Sequence, residues 1–198
     1  MVNIRLADPS RDARQVAAIY YPYVINTHIT FEYAPPNGSV IASRMKSQQE
    51  KFPWLVCEHE RELMGFAYGS SFRSQQAYDW SVETTIYVRE AAHNLGIGSA
   101  LYETLIKCLR LQGYMSAVGV IALPNEPSVS LHNKFGYKEI GILPDAGYKS
   151  GSWYDVGIWR LELKETSPTP EKIISIDHIT NTLDFAKILA TGSSKIDI

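Results

Sequence analysis

The sequence predicts an α/β fold of mixed α+β character: a single domain in which a mixed central sheet is flanked by helices. Three observations predict it. Strand-like and helix-like segments follow one another over residues 3–163 in the order β-α-α-β-β-β-α-β-α-β-β. One strand–helix–strand unit, residues 83–123, has the pattern of a parallel crossover, expected to be right-handed. An earlier pair of strands is joined by a four-residue charged turn, which makes a hairpin and so a mixed sheet. A chain of 198 residues, 45% apolar and 20% charged, can enclose a sizeable core.

Residues 3–7 read as the first strand. Asp8 then caps a helix whose Val16, Ile19, Tyr20 and Tyr23 form one stripe, and Pro22 is expected to bend or end it. Residues 26–38 form a polar loop that holds Thr30-Phe31-Glu32. Ser39 is the expected N-cap of a second helix over 40–51. Residues 54–58 and 64–70 are the hairpin strands, turned at His59-Glu60-Arg61-Glu62. A loop over 72–78 leads to the strand Val82-Glu83-Thr84-Thr85-Ile86-Tyr87-Val88, and Asn94-Leu95-Gly96-Ile97-Gly98-Ser99 opens a strongly periodic helix over 99–112, ended by Gly113. The nearly continuous apolar run 116–123 predicts a strand buried on both faces. A short helix with Pro127 near its start and Gly136 at its end, a strand from Tyr137, and a last strand over 154–163 complete the domain, residues 1–163. Residues 164–171 are a Pro/Thr/Ser-rich linker, and 164–198 as a whole an appendage with room for one short helix near 183–189.

Composition excludes several classes. The formal net charge of −2 and the lack of a basic run give no electrostatic basis for binding nucleic acid or an acidic membrane. No zinc-type Cys/His spacing occurs, so no metal is expected, and no run of about 18 apolar residues suggests a membrane span. The chain enters a strand directly, without a signal peptide's apolar core, which points to a cytoplasmic protein with Cys57 and Cys108 as buried thiols.

The chemistry centres on Glu83. A strand delivers a carboxylate, then a glycine loop opens a helix whose exposed N–H groups suit an anion. Gly96-Ile97-Gly98 alone is a weak signal. It lacks the third glycine of a dinucleotide fingerprint and the Gly-Lys-Ser/Thr of a P-loop. Strand alternation puts Glu83, Thr85 and Tyr87 on one face and Val82, Thr84 and Ile86 on the other. Without more context, Glu83 reads more readily as an exposed strand carboxylate in a surface ion pair.

That context comes from Thr30-Phe31-Glu32, Ala77-Tyr78-Asp79-Trp80, the Glu83 strand, Leu123-Pro124-Asn125-Glu126-Pro127-Ser128-Val129 with His132, and Gly147-Tyr148-Lys149-Ser150-Gly151-Ser152-Trp153-Tyr154-Asp155-Val156-Gly157. Together these resemble the GNAT superfamily of acetyl-CoA-dependent N-acetyltransferases. Within it they closely resemble the phosphinothricin and methionine-sulfoximine N-acetyltransferases, from about residue 4 to residue 163. The resemblance implies acetyl-CoA as co-substrate. Asn94, Leu95, Gly96, Ile97, Gly98 and Ser99 would hold its pyrophosphate through backbone N–H groups. Ile86, Tyr87 and Val88 would pair with its pantetheine arm, and Asn125 would hydrogen-bond it. The family usually carries Gln or Arg at the loop's first position; His93 stands there here, so the cradle rests on the backbone. Glu83 is implied as general base. His132 occupies the place of a tyrosine that protonates the leaving thiolate in many members; it would act as acid, relay or orienting group, or merely pack. Phe31, Arg73, Tyr78 and Thr85 are the substrate candidates, Arg73 as partner of a carboxylate. Phe31 and Tyr78 read as well as core aromatics, and Arg73 as a solvated loop charge. Lys149 and Trp153 read mainly as structural or as part of a subunit interface. The relatives imply a homodimer.

The main reading is therefore direct acetyl transfer to the α-amino group of a small amino-acid-like acceptor. Two alternatives stand beside it: an acetyltransferase for peptide or protein amines, and a CoA-binding regulatory module without turnover. The aromatic loop 77–80 suits a small closed pocket and weighs against the first. The presence of both Glu83 and His132 weighs against the second.

Overall fold

The computed structural model describes residues 2–196 and 198. A seven-stranded sheet runs in the order β1-β2-β3-β4-β5-β7-β6, with β1 at Val2–Leu6, β2 at Trp54–His59, β3 at Glu62–Ser71, β4 at Ser81–Val88, β5 at Ser116–Ala122, β6 at Lys138–Lys149 and β7 at Ser152–Glu162. All neighbours are antiparallel except β4 and β5, the parallel pair expected from the crossover. The eleven-element order predicted from the sequence is the order found.

Helices α1 (Pro9–Asn26) and α2 (Gly38–Gln49) cover one face. Helix α3 (Ile97–Gln112) covers the other, and α4 (Glu126–Lys134) follows β5. Alternation along β2 shows the division: Trp54 and Val56 join the α1/α2 core, while Leu55 and Cys57 join the α3 core. The Glu60–Arg61 turn between β2 and β3 takes positive φ at both residues, the twist a two-residue hairpin needs. Burial pushes the thiols of Cys57 and Cys108 up to about 12, so both stay protonated and inert.

Three local expectations are corrected. Helix α1 does not end at Pro22 but runs through it to Asn26, because Val16, Ile19, Tyr20 and Val24 bury its stripe and outweigh the one hydrogen bond proline forfeits. The cap of α2 is Asn37, not Ser39; its Oδ1 accepts from the Val40 N–H at 3.0 Å and from the Ser39 hydroxyl. Strand β5 is not buried throughout, since Val120 is 44% exposed.

Within the appendage, residues 173–196 are docked on the domain. Two helices, α5 (Ile176–Thr180) and α6 (Leu183–Ser193), add Ile176, Ile179 and Phe185 to the α3 core. The Ile4 N–H on edge strand β1 donates to Ser193 Oγ at 2.8 Å, and Lys195 pairs with Glu103 of α3 at 2.6 Å. Gly192 lies so close to Thr104 that a Cβ there would overlap its hydroxyl. The buried Gln112 side chain donates to the Ile174 carbonyl at 3.0 Å, and the Trp80 indole N–H to the Glu171 carbonyl at 2.7 Å.

Candidate active site

The candidate site lies where the sheet splits. Strands β4 and β5 pair only at Ser81–Ser116, Val82–Ala117 and Glu83–Val118. Beyond Glu83 they part, and β4 keeps only its β3 partners out to Val88. The β5-facing edge of residues 86–88 thus has no strand partner and could take an extended ligand, although the Val88 carbonyl already accepts from the Tyr23 hydroxyl at 2.6 Å. The exposed Val120 lines the same gap, at the C-terminal ends of two parallel strands, where open α/β sheets bind ligands.

The loop at the end of β4 bends through Asn94 (φ 64°) and Gly96 (φ 77°), and Gly96 begins α3 with no side-chain cap. The first-turn N–H groups of Ile97, Gly98 and Ser99 have no acceptor within the helix. At Gly98 an added Cβ would meet Val88 at an ordinary 3.5 Å, so the protein's own packing does not demand glycine there. Bare backbone at that point fits the approach of a pyrophosphate. His93 is turned away: its Nε2 lies 3.0 Å from the Tyr23 hydroxyl and 3.2 Å from the Val88 carbonyl. The cation beside the cradle is Lys134 at the end of α4, whose ammonium donates to Ser99 Oγ at 2.9 Å. Sequence reasoning missed Lys134, because 35 residues separate it from Ser99 and no local pattern marks it. Asn125 uses its side-chain oxygen to cap α4 through the Ser128 N–H.

Glu83 faces the α1/α2 side with Thr85 and Tyr87. The Tyr87 ring packs 4.8 Å from Tyr20 and 5.0 Å from Tyr23, and Tyr68 of β3 stands opposite Thr85. Glu83 is half-buried. Burial pushes its carboxyl above the ordinary range, and the nearby charge of Arg73 pulls it back in part. Arg73 lies exposed on the loop after β3, its guanidinium 4.4 Å over the Phe72 ring; Tyr78 meets the same ring edge-on at 5.9 Å. Phe31 lies flat against Gly147, where any Cβ would overlap its ring.

On the α3 side of the same strand Thr84 enters a buried polar cluster. Its hydroxyl is 2.7 Å from that of Tyr102 and 3.1 Å from that of Tyr137. Tyr102 in turn lies 2.8 Å from His132 Nε2. His132 is only 3% exposed, and its Nδ1–H donates to the Ser128 carbonyl at 2.7 Å. A carbonyl only accepts, so Nδ1 carries the proton. Burial pushes the imidazole pKa down, leaving Nε2 as acceptor of the Tyr102 hydroxyl. The ring fills the space over Gly119, where a Cβ would strike it. Glu83 and His132 therefore stand on opposite faces of the sheet at the split.

A groove of about 460 Å³ between α1 and residues 89–91 does not reach Glu83. Among the described residues no group of three or more His, Cys, Asp or Glu could hold a metal ion, and no helix is long and apolar enough to cross a membrane.

The acetyltransferase (GNAT) domain family matches residues 4–158. The chain belongs to the GNAT acetyltransferases. It is 40% identical to a phosphinothricin N-acetyltransferase of Streptomyces viridochromogenes over 84% of this chain and 91% of that one. It is 29% identical to an L-methionine sulfoximine/L-methionine sulfone acetyltransferase of Pseudomonas aeruginosa, over 80% and 94%. A crystal structure of a GNAT phosphinothricin acetyltransferase from Sinorhizobium meliloti with AcCoA superposes with a TM-score of 0.82, at 31% identity, over 89% of this chain and 96% of that one. This GNAT chain is an acetyl-CoA-dependent N-acetyltransferase, with the mixed sheet and flanking helices expected of it.

Proposed function

We propose that the enzyme moves acetyl from acetyl-CoA to the α-amino group of a small amino-acid-like acceptor: phosphinothricin, methionine sulfoximine or sulfone, or a related amino acid. The observation that carries this reading is Glu83, a carboxylate of raised pKa at the rim of the strand gap with Arg73 as the nearby charge. An α-ammonium group cannot attack a thioester until it loses a proton. Glu83 takes that proton directly or through water, and the raised pKa makes it a better base near neutral pH. The freed amine attacks the thioester carbonyl, the C–N bond forms as the C–S bond breaks, and the nitrogen's surplus proton ends on the departing CoA thiolate. No acyl-cysteine forms, since both thiols are buried in the core.

Arg73 grips the acceptor carboxylate, and Phe31, Tyr78 and Thr85 line the pocket on the Glu83 face. Ile86, Tyr87 and Val88 offer their open edge to the pantetheine amides. Asn94 to Ser99 cradle the pyrophosphate with Lys134 beside it, and Asn125 stands at the mouth of the gap. His132, a neutral acceptor held by Tyr102, orients the β4–β5 split rather than delivering a proton. The names of the two relatives described above support the acceptor class. A cytoplasmic homodimer completes the reading: β6 is an edge strand with Ile140, Ile142 and Leu143 exposed, a surface that isolated chains rarely leave uncovered.

A turnover assay with acetyl-CoA, a panel of amino acids, their carboxylate esters and short peptides tests it. Free amino acids are expected to outrun their esters, and Arg73→Ala to raise the acceptor KM roughly 10- to 150-fold with the acetyl-CoA KM nearly unchanged. Equal rates on ester and free acid would move the peptide-amine reading to the front.

A further inference from the structure

Lys149 is the last residue of β6, and its position in the interior is unexpected for a lysine: it is 4% exposed. Its ammonium donates to two backbone carbonyls, that of Val24 at 2.8 Å and that of Thr30 at 2.6 Å. Val24 lies in the last turn of α1, which has no basic residue of its own there. The carbonyls of that turn carry the negative end of the helix dipole, and Lys149 supplies the cation from another element. Thr30 immediately precedes Phe31.

The contacts on either side of Lys149 reach the same loop. Gly147 lies flush under the Phe31 ring, and the Tyr33 hydroxyl donates to the Tyr148 carbonyl. Residues 147–149 thus fasten residues 30–33 from the hairpin side. From the helix side the loop is held by Tyr20, whose hydroxyl meets Thr30 Oγ1 and Glu32, and by Arg44, paired with Glu32 at 2.6 Å. Burying an ammonium costs several kcal/mol before any partner is counted, and an apolar residue would pack that volume without the penalty. The charge is therefore spent on something packing alone does not deliver: a fixed backbone at Thr30 and a fixed ring at Phe31.

We propose that Lys149 is a positioning residue that sets the Phe31 wall of the acceptor pocket. The proposal rests on the reading of Phe31 as an acceptor contact. Lys149→Met keeps the side chain's bulk and removes its charge. Amide hydrogen exchange over residues 27–33 is expected to speed up while β4 stays protected. With the best amine of the panel above, whether amino acid or peptide, the acceptor KM is expected to rise about 10-fold or more, because two charge-assisted hydrogen bonds are removed. The acetyl-CoA KM should stay within about twofold, since the cradle lies on other elements. Tyr33→Phe removes the neighbouring clip at a residue that is 69% exposed and outside the core, so it tests the idea without emptying any core volume. It is expected to raise the acceptor KM roughly 2- to 10-fold. In Phe31→Leu the effect of Lys149→Met on acceptor KM should largely vanish. Unchanged exchange over 27–33, equal rises in both KM values, or full additivity with Phe31→Leu would each overturn the proposal. The choice of acceptor in the wild-type panel judges the amino-acid reading separately, because the exchange measurement needs no acceptor.

Discussion

Glu83, Thr85 and Tyr87 look out from β4 on the α1/α2 side; Val82, Thr84 and Ile86 look out on the α3 side, and the neighbours Glu83 and Thr84 are treated in opposite ways. On the α3 side the hydroxyls are matched. Thr84, Tyr102, Tyr137 and His132 pass hydrogen bonds among themselves, and the chain ends on the Ser128 carbonyl. On the α1/α2 side Glu83 makes no side-chain hydrogen bond among the described residues, and its charge is answered only at a distance by Arg73. A satisfied buried network fixes geometry, whereas an unsatisfied half-buried carboxylate stores reactivity. One strand, by its two-residue period, holds a rigid wall on one side and the proposed base on the other.

Glu83→Gln should break that contrast most sharply. The isostere keeps shape and removes basicity, so kcat is expected to fall by roughly 10²- to 10⁴-fold with acetyl-CoA binding intact. Steady-state kinetics at pH 7 decides this, and near-wild-type turnover would remove Glu83 from the base role. Stability should move the other way. The folded carboxyl binds its proton more tightly than the unfolded one, so wild-type stability falls as pH rises from the ordinary carboxylate range through the raised folded value. The Gln variant escapes that fall. Its Tm advantage should be absent in acid and open as pH climbs, measurable by thermal denaturation across pH.

How much of this was legible in the sequence follows the same division between local and distant interactions. The order of elements, the Asp8 cap, the Gly113 stop and the face of Glu83 are set by residues within a few positions of one another. Pro22 does not end the helix because the burial of Val16 to Val24 is tertiary and outweighs proline's local preference. The tail reads thin because Ile176, Ile179 and Phe185 are spaced irregularly; only the surface of α3 makes them one patch. Lys134 and Lys149 lie beyond local pattern altogether. Their partners sit 35 residues away for Lys134 and 119 and 125 for Lys149.

The cradle offers a sharper contrast between backbone and side chain. Gly98→Val places a branched side chain where protein packing leaves room but an approaching phosphate would not. The acetyl-CoA KM is expected to rise on the order of 10- to 100-fold, the worth of one or two charge-assisted N–H hydrogen bonds to phosphate. His93→Ala should move it less, because that imidazole is already engaged by Tyr23 and Val88. A larger effect at His93 than at Gly98 would make the side chain the main anchor.

The smallest effect on catalysis is expected on the rigid face, and it separates two roles for His132. Tyr102→Phe deletes the hydroxyl that donates to Nε2 and that meets Thr84. The helix and the ring stacking survive, but His132 and Thr84 each lose a partner in the interior. Chemical denaturation should register a loss of about 1–3 kcal/mol, the cost of leaving buried polar groups unmatched. If His132 only orients the split, kcat should change by no more than about tenfold and the pH–rate profile should keep its shape. If His132 instead supplies a proton, removing the group that holds Nε2 as an acceptor must alter how readily that nitrogen is protonated, and the alkaline limb of kcat would shift. The burial that pushes the imidazole pKa down persists in the variant, because Gly119 and Tyr137 still enclose the ring. A displaced alkaline limb would therefore come from His132 itself and would move it from the rigid face into the chemistry.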